Sequence, residues 1–433
     1  MIKLFILLLH LIGFASSQII QIGAGSYTRN FPGIDVAGRN SYPSGQPQTV
    51  GPASLKHCPT NDWWSSIIKN DHANNLFNYP LALKTTSEGL VISYIPQGVY
   101  DDQEPIVVGL SGLSSTKANV YDFSDWTVTI DWTDSDNSLK ATAGIGMPFL
   151  YFTKDDDSVV DININLGQVS IFDEVILVEN ARNNADFVIY APNGSHWQQS
   201  GNKYSSTLNG KNYWSVAMLP QTYSNLNEVI NDLQKYAYVF PQNSTVEWSY
   251  NNENSTVYSD FTVEVDVKEG PYSDFLMGLL PHQWNNLSDE SPYPDEYVYS
   301  SIRGNLKMLK GNTFSTKNLF SGILPTLPSL SHLSSGFNPA QLQEKIALIQ
   351  NNQLDEWTDS YNEGQVMNRL IQTGRIAHEI GNIEARDQIV QTVKTRLEDW
   401  LTASSNEVAF IFYYNSTWST LIGYPSGHGQ DNN

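Results

Sequence analysis

The chain has 433 residues, 45 Asp and Glu against 24 Lys and Arg, and a net charge of −21 at neutral pH. That length can bury a large core without covalent staples, and a single cysteine, Cys58, allows no intramolecular disulfide. A surface this acidic repels phosphate backbones and argues against a nucleic-acid partner.

At the N-terminus, Lys3 precedes an apolar run from Leu4 to Phe14, and Ala15-Ser16-Ser17 puts small residues ahead of Gln18. Residues 1–17 therefore read as a signal peptide, too short to span a bilayer. No later apolar stretch reaches the roughly 18 residues of a membrane helix. The expectation is a soluble, secreted protein with no membrane partner. Five Asn-x-Ser/Thr sequons, at Asn193, Asn243, Asn254, Asn286 and Asn415, fit that compartment and are expected glycosylation sites in a host that glycosylates. Cys58 reads as a buried small hydrophobe.

From about residue 18 to 330 the chain consists of short alternating runs cut by Gly, Pro, Asn and Asp. Leu90–Ile95, Trp126–Trp132 and Phe261–Val267 are examples. Period two with β-branched and aromatic residues predicts strands, and so many of them predict a large β-sandwich with a linking region. A short helix is predicted near Leu226–Tyr236, where Leu226, Val229, Ile230, Leu233 and Tyr236 share a face.

The pattern changes after Leu327-Pro328. Asn338-Pro339 reads as a helix start, with Asn at the N-cap and Pro at the first helical position. Val366, Leu370, Gly374 and Ala377 then recur at helical spacing. Gly381 closes that helix and Asn382 caps the next, which is expected to bury Ile389, Val393, Leu397 and Trp400 or Leu401. Residues 331–433 thus read as the N-terminal part of an α/α-barrel, a helical domain that begins without finishing. Its polar end, from Ser426 to Asn433, adds no closing element.

The chain has no Walker loop, no G-x-S-x-G elbow and no complete G-x-G-x-x-G. Its eight His residues are scattered, so no metal site is expected. Aromatic residues make up 12% of the chain and charged residues only 16%, which suits a ligand with apolar ring faces and hydroxyls. One set of segments is more specific. Pro59-Thr60-Asn61-Asp62-Trp63-Trp64-Ser65-Ser66 is followed by Asn78-Tyr79-Pro80-Leu81 and Gly89–Tyr94, then by Lys140–Phe149 and Leu280-Pro281-His282-Gln283-Trp284. Farther along come Asp359–Gly364, Ile376-Ala377, Glu384–Asp387 and Tyr414–Trp418 with Leu421-Ile422. This collinear series, from about residue 55 to 425, resembles glycoside hydrolase family 81, the endo-1,3-β-glucanases.

The resemblance implies a β-sandwich, a linking region and an (α/α)₆ catalytic domain. It also implies cofactor-free, inverting cleavage of internal β-1,3-glucosidic bonds. The family's chemistry uses an Asp on an Asn-Asp-His-His-Phe segment and two Glu in a Glu-Ser-Ser-Ser-Glu run, and this sequence contains neither. No catalytic residue is carried over, and the chain is expected to stop short of the catalytic carboxylates.

Inversion needs an acid and a base roughly 6.5–9.5 Å apart. Asp359 and Glu363, one helical turn apart, read instead as a helix-start cap, and Glu379, Glu384 and Asp387 as solvated. Asp359, Tyr361 and Trp418 are expected substrate-binding residues on a cleft wall, with core packing as the alternative for the aromatics. Trp63 and Trp64, taken as neighbours on a strand, are assigned to the core, at most one facing a ligand. Three functions remain open: a monomeric β-1,3-glucan hydrolase, a non-catalytic secreted glucan-binding or recognition protein, and a structural or adhesion sandwich.

Overall fold

The computed structural model describes residues 19–30, 45–97, 102–288, 297–320, 338–404 and 410–423. The expected signal peptide at 1–17, the transition at Leu327-Pro328 and the polar end from Ser426 lie outside the described residues. The fold divides into two bodies. One comprises Gln48–His57 and Asp62–Ile323; the other comprises the described parts of Met1–Pro47, Cys58–Asn61 and Leu324–Asn433.

The first body is the sandwich. One antiparallel sheet has eight strands, with Phe149–Lys154 and Tyr213–Met218 in its middle and Gln168–Phe172 and Asn119–Phe123 at its edges. A second has seven strands, running from Gln198–Ser200 through Ile106–Leu110 to Leu76–Phe77. The Trp132 indole on the first sheet donates to the Thr86 carbonyl on the second at 3.0 Å. Cross-strand neighbours Phe152 and Trp214 stack at 5.2 Å, both fully buried. Such burial contributes about 1.5–3 kcal/mol per large apolar side chain.

Strict alternation holds only where a sheet face meets solvent, as in Ser138–Gly144. Gly89–Ser93, Ile106–Leu110 and Tyr213–Met218 are buried at every position, because both of their faces are covered. Two three-stranded sheets complete the body: Val239–Asn251, Thr256–Val267 and Thr313–Leu319, then Leu276–Leu279, Gly304–Lys310 and Val298–Ser301. Helix α1 (Leu226–Gln234) is capped by Asn225 and buries Val229, Ile230 and Leu233, the face its periodicity predicts. A single turn, α2 (Pro281–Trp284), follows the strand Leu276–Leu279.

The second body holds α3 (Pro339–Asn352), α4 (Ser360–Glu379) and α5 (Ile383–Trp400). Asn338, Asp359 and Asn382 cap them through side-chain oxygens that accept from the first-turn amides. Helices α4 and α5 pack through Val366, Leu370, Ile389 and Val393. Gly374 faces Ile389 across this contact, and a Cβ there would meet Ile389 Cγ2 at 3.4 Å, an ordinary van der Waals distance. Ile346 of α3 packs on Ala377 and Ala385, so a third helix joins the expected hairpin.

Two expectations need correction. Leu397 is 44% exposed, and its place on the buried stripe is taken by Arg396. The N-terminal strands Ile19–Ile22 and Gly25–Thr28, assigned to the sandwich from sequence, join a four-stranded sheet with Tyr413–Asn415 and Thr420–Ile422. Ser26 N donates to the Leu401 carbonyl at 2.7 Å, and Ala403 N to Ser26 Oγ at 2.8 Å. These bonds fasten the first strands to the end of α5.

Candidate functional site

In the sandwich body, four of the segments singled out above converge on one groove of about 680 Å³. Its aromatic lining is Trp63, Phe77 and Tyr79; Ile145, Leu280 and Pro281 are apolar, and Asn75, His282 and Arg303 are polar.

Each segment is held by local geometry. Asp62 and Ser65 lock a turn: Asp62 Oδ1 accepts from Trp63 N at 2.7 Å, and Asp62 N donates to Ser65 Oγ at 2.8 Å. The two tryptophans therefore sit on a turn before a 3₁₀ helix, not on a strand. Trp64 is 1% exposed and packs on Phe123 at 5.4 Å, whereas Trp63 is half-buried and lines the groove. Burial raises the Asp62 carboxyl above its ordinary value, opposed by hydrogen bonds with Trp63 and Trp64.

Phe77 and Tyr79 flank the fully buried Asn78, and their rings stack at 6.3 Å with planes 22° apart. Asn78 Nδ2 donates to the Gly144 carbonyl at 3.3 Å, and Gly146 N donates to the Asn78 and Tyr79 carbonyls. Gly146 has φ +79°, and its carbonyl accepts from Gly278 N at 2.9 Å. That contact sets the strand Leu276–Leu279, which delivers Leu280, Pro281 and His282 to the groove. The turn bearing Arg303 is seated by Gly304, where a Cβ would lie 2.8 Å from Pro281 Cγ.

Chemically, half-buried rings with amide, imidazole and guanidinium donors can stack on an apolar sugar face and hydrogen-bond its hydroxyls. Among the described residues no carboxylate lines the groove, and its described lining supplies no acid and base for glycosidic hydrolysis.

The residues predicted in the helical body are placed as follows. Asp359 is buried as the α4 N-cap, its oxygens accepting from Asn362 N at 2.7 Å and Asn362 Nδ2 at 3.0 Å. Tyr361 is 55% exposed. Trp418 is buried on the hairpin Tyr413–Ile422, and its indole nitrogen has no hydrogen-bond partner among the described residues. The hairpin meets the α4 start where Ser360 N donates to the Gly423 carbonyl at 3.1 Å. Of the three, only Tyr361 presents a ring to solvent. Glu379, Glu384 and Asp387 are exposed, as expected.

Glu363 is not a simple cap. It is 1% exposed, with Oε1 accepting from Arg396 Nη1 at 3.2 Å and Oε2 from Trp357 N at 2.8 Å. Arg396 Nη2 donates to the Gln353 and Leu354 carbonyls, and Nε lies 3.2 Å from Glu356 Oε1. This knot fixes the turn that carries Trp357, which is 49% exposed and was not singled out from sequence. Phe77 and Arg303 also escaped the sequence reading. The signal for Arg396 was a lone charge in register with Ile389 and Val393.

Among the described residues, no group of three or more His, Cys, Asp or Glu is placed to hold a metal, and no helix is long and apolar enough to cross a membrane. Asn193, Asn243 and Asn254 are exposed. Asn286 is half-buried and donates to the His282 carbonyl at 2.8 Å. Asn415 is 8% exposed, with its oxygen accepting from Thr417 N and Trp418 N.

No protein-family profile matches the chain. It is 33% identical over 393 residues to a glucan endo-1,3-beta-D-glucosidase of Acetivibrio thermocellus, covering 86% of this chain and 48% of that protein. It is 30% identical over 447 residues to a glucan endo-1,3-beta-D-glucosidase of Thermobifida fusca, covering 96% and 55%. The chain spans about half the length of the curated relatives it matches. Among solved structures, a family 81 glycoside hydrolase from Clostridium thermocellum, studied as a point mutant, aligns with a TM-score of 0.77. The identity is 32%, over 96% of this chain and 57% of that one.

Proposed function

Because the chain belongs to glycoside hydrolase family 81 over the span it shares with these relatives, we propose that its protein hydrolyses internal β-1,3-glucosidic bonds of a glucan. The observation that carries this reading is the collinear likeness over 96% of the chain to a family 81 structure. Hydrolysis with inversion requires a carboxylic acid on the leaving oxygen and a carboxylate that activates water from the opposite ring face. The proposal places neither on this chain. Asp359 and Glu363 are committed to a cap and an ion pair, and the two carboxylate segments of the family are missing from the sequence. The groove and the Tyr361 face are then the chain's contributions to holding the polymer.

The same reading makes the protein a secreted monomer, free of cofactor, that acts on an extracellular or cell-wall glucan and carries N-glycans. The exposed sequons Asn193, Asn243 and Asn254 support the glycans best; Asn286 and Asn415 are already tied into local hydrogen bonds. Expression in a glycosylating host, followed by glycosidase treatment and mass spectrometry, tests this directly.

The groove, with no carboxylate among its described lining residues, favours one second reading, a non-catalytic glucan-recognition protein. The two part experimentally. Protein that includes an Asn-Asp-His-His-Phe segment and a later Glu pair should release reducing ends from laminarin, with the α-anomer appearing first by NMR. Retained configuration would overturn inversion, and no release from that longer protein would remove the hydrolase reading.

A further inference from the structure

We propose that the sandwich groove is a binding site in its own right for a neutral β-glucan chain. Trp63, Phe77 and Tyr79 form its stacking platform, with Arg303 as a hydroxyl donor at the rim. The inference rests on the reading of a glucan substrate but goes beyond it, because it assigns recognition to a place whose described lining holds no carboxylate.

Three observations converge. First, the rings are half-buried rather than buried, although Trp64 and Asn78 beside them are almost wholly enclosed. The backbone alternates one residue into the core with one into the groove. Second, the groove is built from rigid parts. The Asp62–Ser65 turn, the Asn78–Gly144 bond, the Gly146–Gly278 contact and the Gly304–Pro281 packing each fix one wall. A preorganised wall spares a ligand the ordering cost that weakens loose sites. Third, the volume of about 680 Å³ lies in the range of ligand pockets, roughly 300–1,000 Å³. The polar lining, Asn75, His282 and Arg303, offers donors for hydroxyls. The net charge of −21 disfavours polyanionic glycans.

The test titrates the whole chain with laminarihexaose by calorimetry, and compares Trp63→Ala, Tyr79→Ala, Trp63→Phe and Trp248→Ala. Trp248 is 72% exposed on the hairpin Val239–Val267 and outside the groove. The expected result is affinity about tenfold lower in each groove alanine variant, as for loss of one aromatic contact. Trp63→Phe should recover most of it, and Trp248→Ala should change nothing. Near-ultraviolet circular dichroism checks that each variant keeps its packing. Binding that survives Trp63→Ala and Tyr79→Ala overturns the groove while leaving the glucan reading intact. Binding of cellohexaose but not laminarihexaose, abolished by the same variants, supports the groove and overturns the β-1,3 reading. Binding only of an anionic glycan such as polygalacturonate, or of no glycan, overturns the proposal.

Discussion

Gly146 and Gly278 meet backbone to backbone, so closely that a Cβ on Gly146 would lie 2.0 Å from the Gly278 carbonyl oxygen. This contact joins the Ile145 wall of the groove to the strand Leu276–Leu279, which leads into the turn that carries His282. Gly146→Ala therefore meets both a left-handed φ of +79° and a backbone clash. It should lower unfolding free energy by more than the roughly 1–2 kcal/mol of the left-handed conformation alone. Gly112→Ala is the comparison: its φ is +81° with nothing within 4 Å, and it should cost only about 1–2 kcal/mol. Denaturant titration of both variants separates clash from conformation.

Glu363→Ala leaves Arg396 buried without its principal anion and should cost about 3–5 kcal/mol. Glu363→Gln keeps an oxygen for Trp357 N and should cost less. If the turn bearing Trp357 depends on this knot, proteolysis of Glu363→Ala under native conditions will begin between Gln353 and Asp359. Cleavage elsewhere would show that the turn is held by other contacts.

The sandwich was legible because strand burial leaves period-two and β-branched runs. Where both sheet faces are covered, as at Gly89–Ser93, alternation vanished and only apolar content remained. Helix caps were legible from single residues, since Asn338, Asp359 and Asn382 act on their own first turns. The groove was half legible. Its motif segments stand out one by one in the sequence, but their meeting depends on the glycine contact between residues 146 and 278, which no local pattern encodes. The tryptophan pair was read as strand neighbours because nothing local in Trp63-Trp64 announced the Asp62–Ser65 turn. Arg396 was passed over because a charge on an apolar stripe needs a partner, and Glu363 lies a full helix away.

Two carboxyls should move stability with pH in opposite senses. Burial pushes Asp232 up, but hydrogen bonds from Lys235, Lys310 and Tyr297 and the charge of Lys310 outweigh it, so its value sits below the ordinary 3.8. Its contribution is complete above about pH 4 and is lost as pH falls through the lowered value. Asp232→Asn should lower stability at neutral pH and flatten the acid limb of a thermal-midpoint profile.

Asp62 is the reverse case. Burial raises it above 3.8, so its ionisation opposes folding at every pH above the raised value and ceases to do so below 3.8. Asp62→Asn retains an oxygen for Trp63 N. It should raise the thermal midpoint at pH 7, leave it unchanged near pH 3, and keep glucan binding intact. A lower midpoint at pH 7 would mean the charge itself anchors the turn.

The most direct measurement pairs calorimetry with a reducing-end assay on the 433-residue chain and laminarihexaose. The account predicts saturable binding that depends on Trp63 and Tyr79, with no reducing ends released over hours. Steady release of shorter oligosaccharides by this chain would contradict it, because the carboxylates it contains would then suffice for the chemistry.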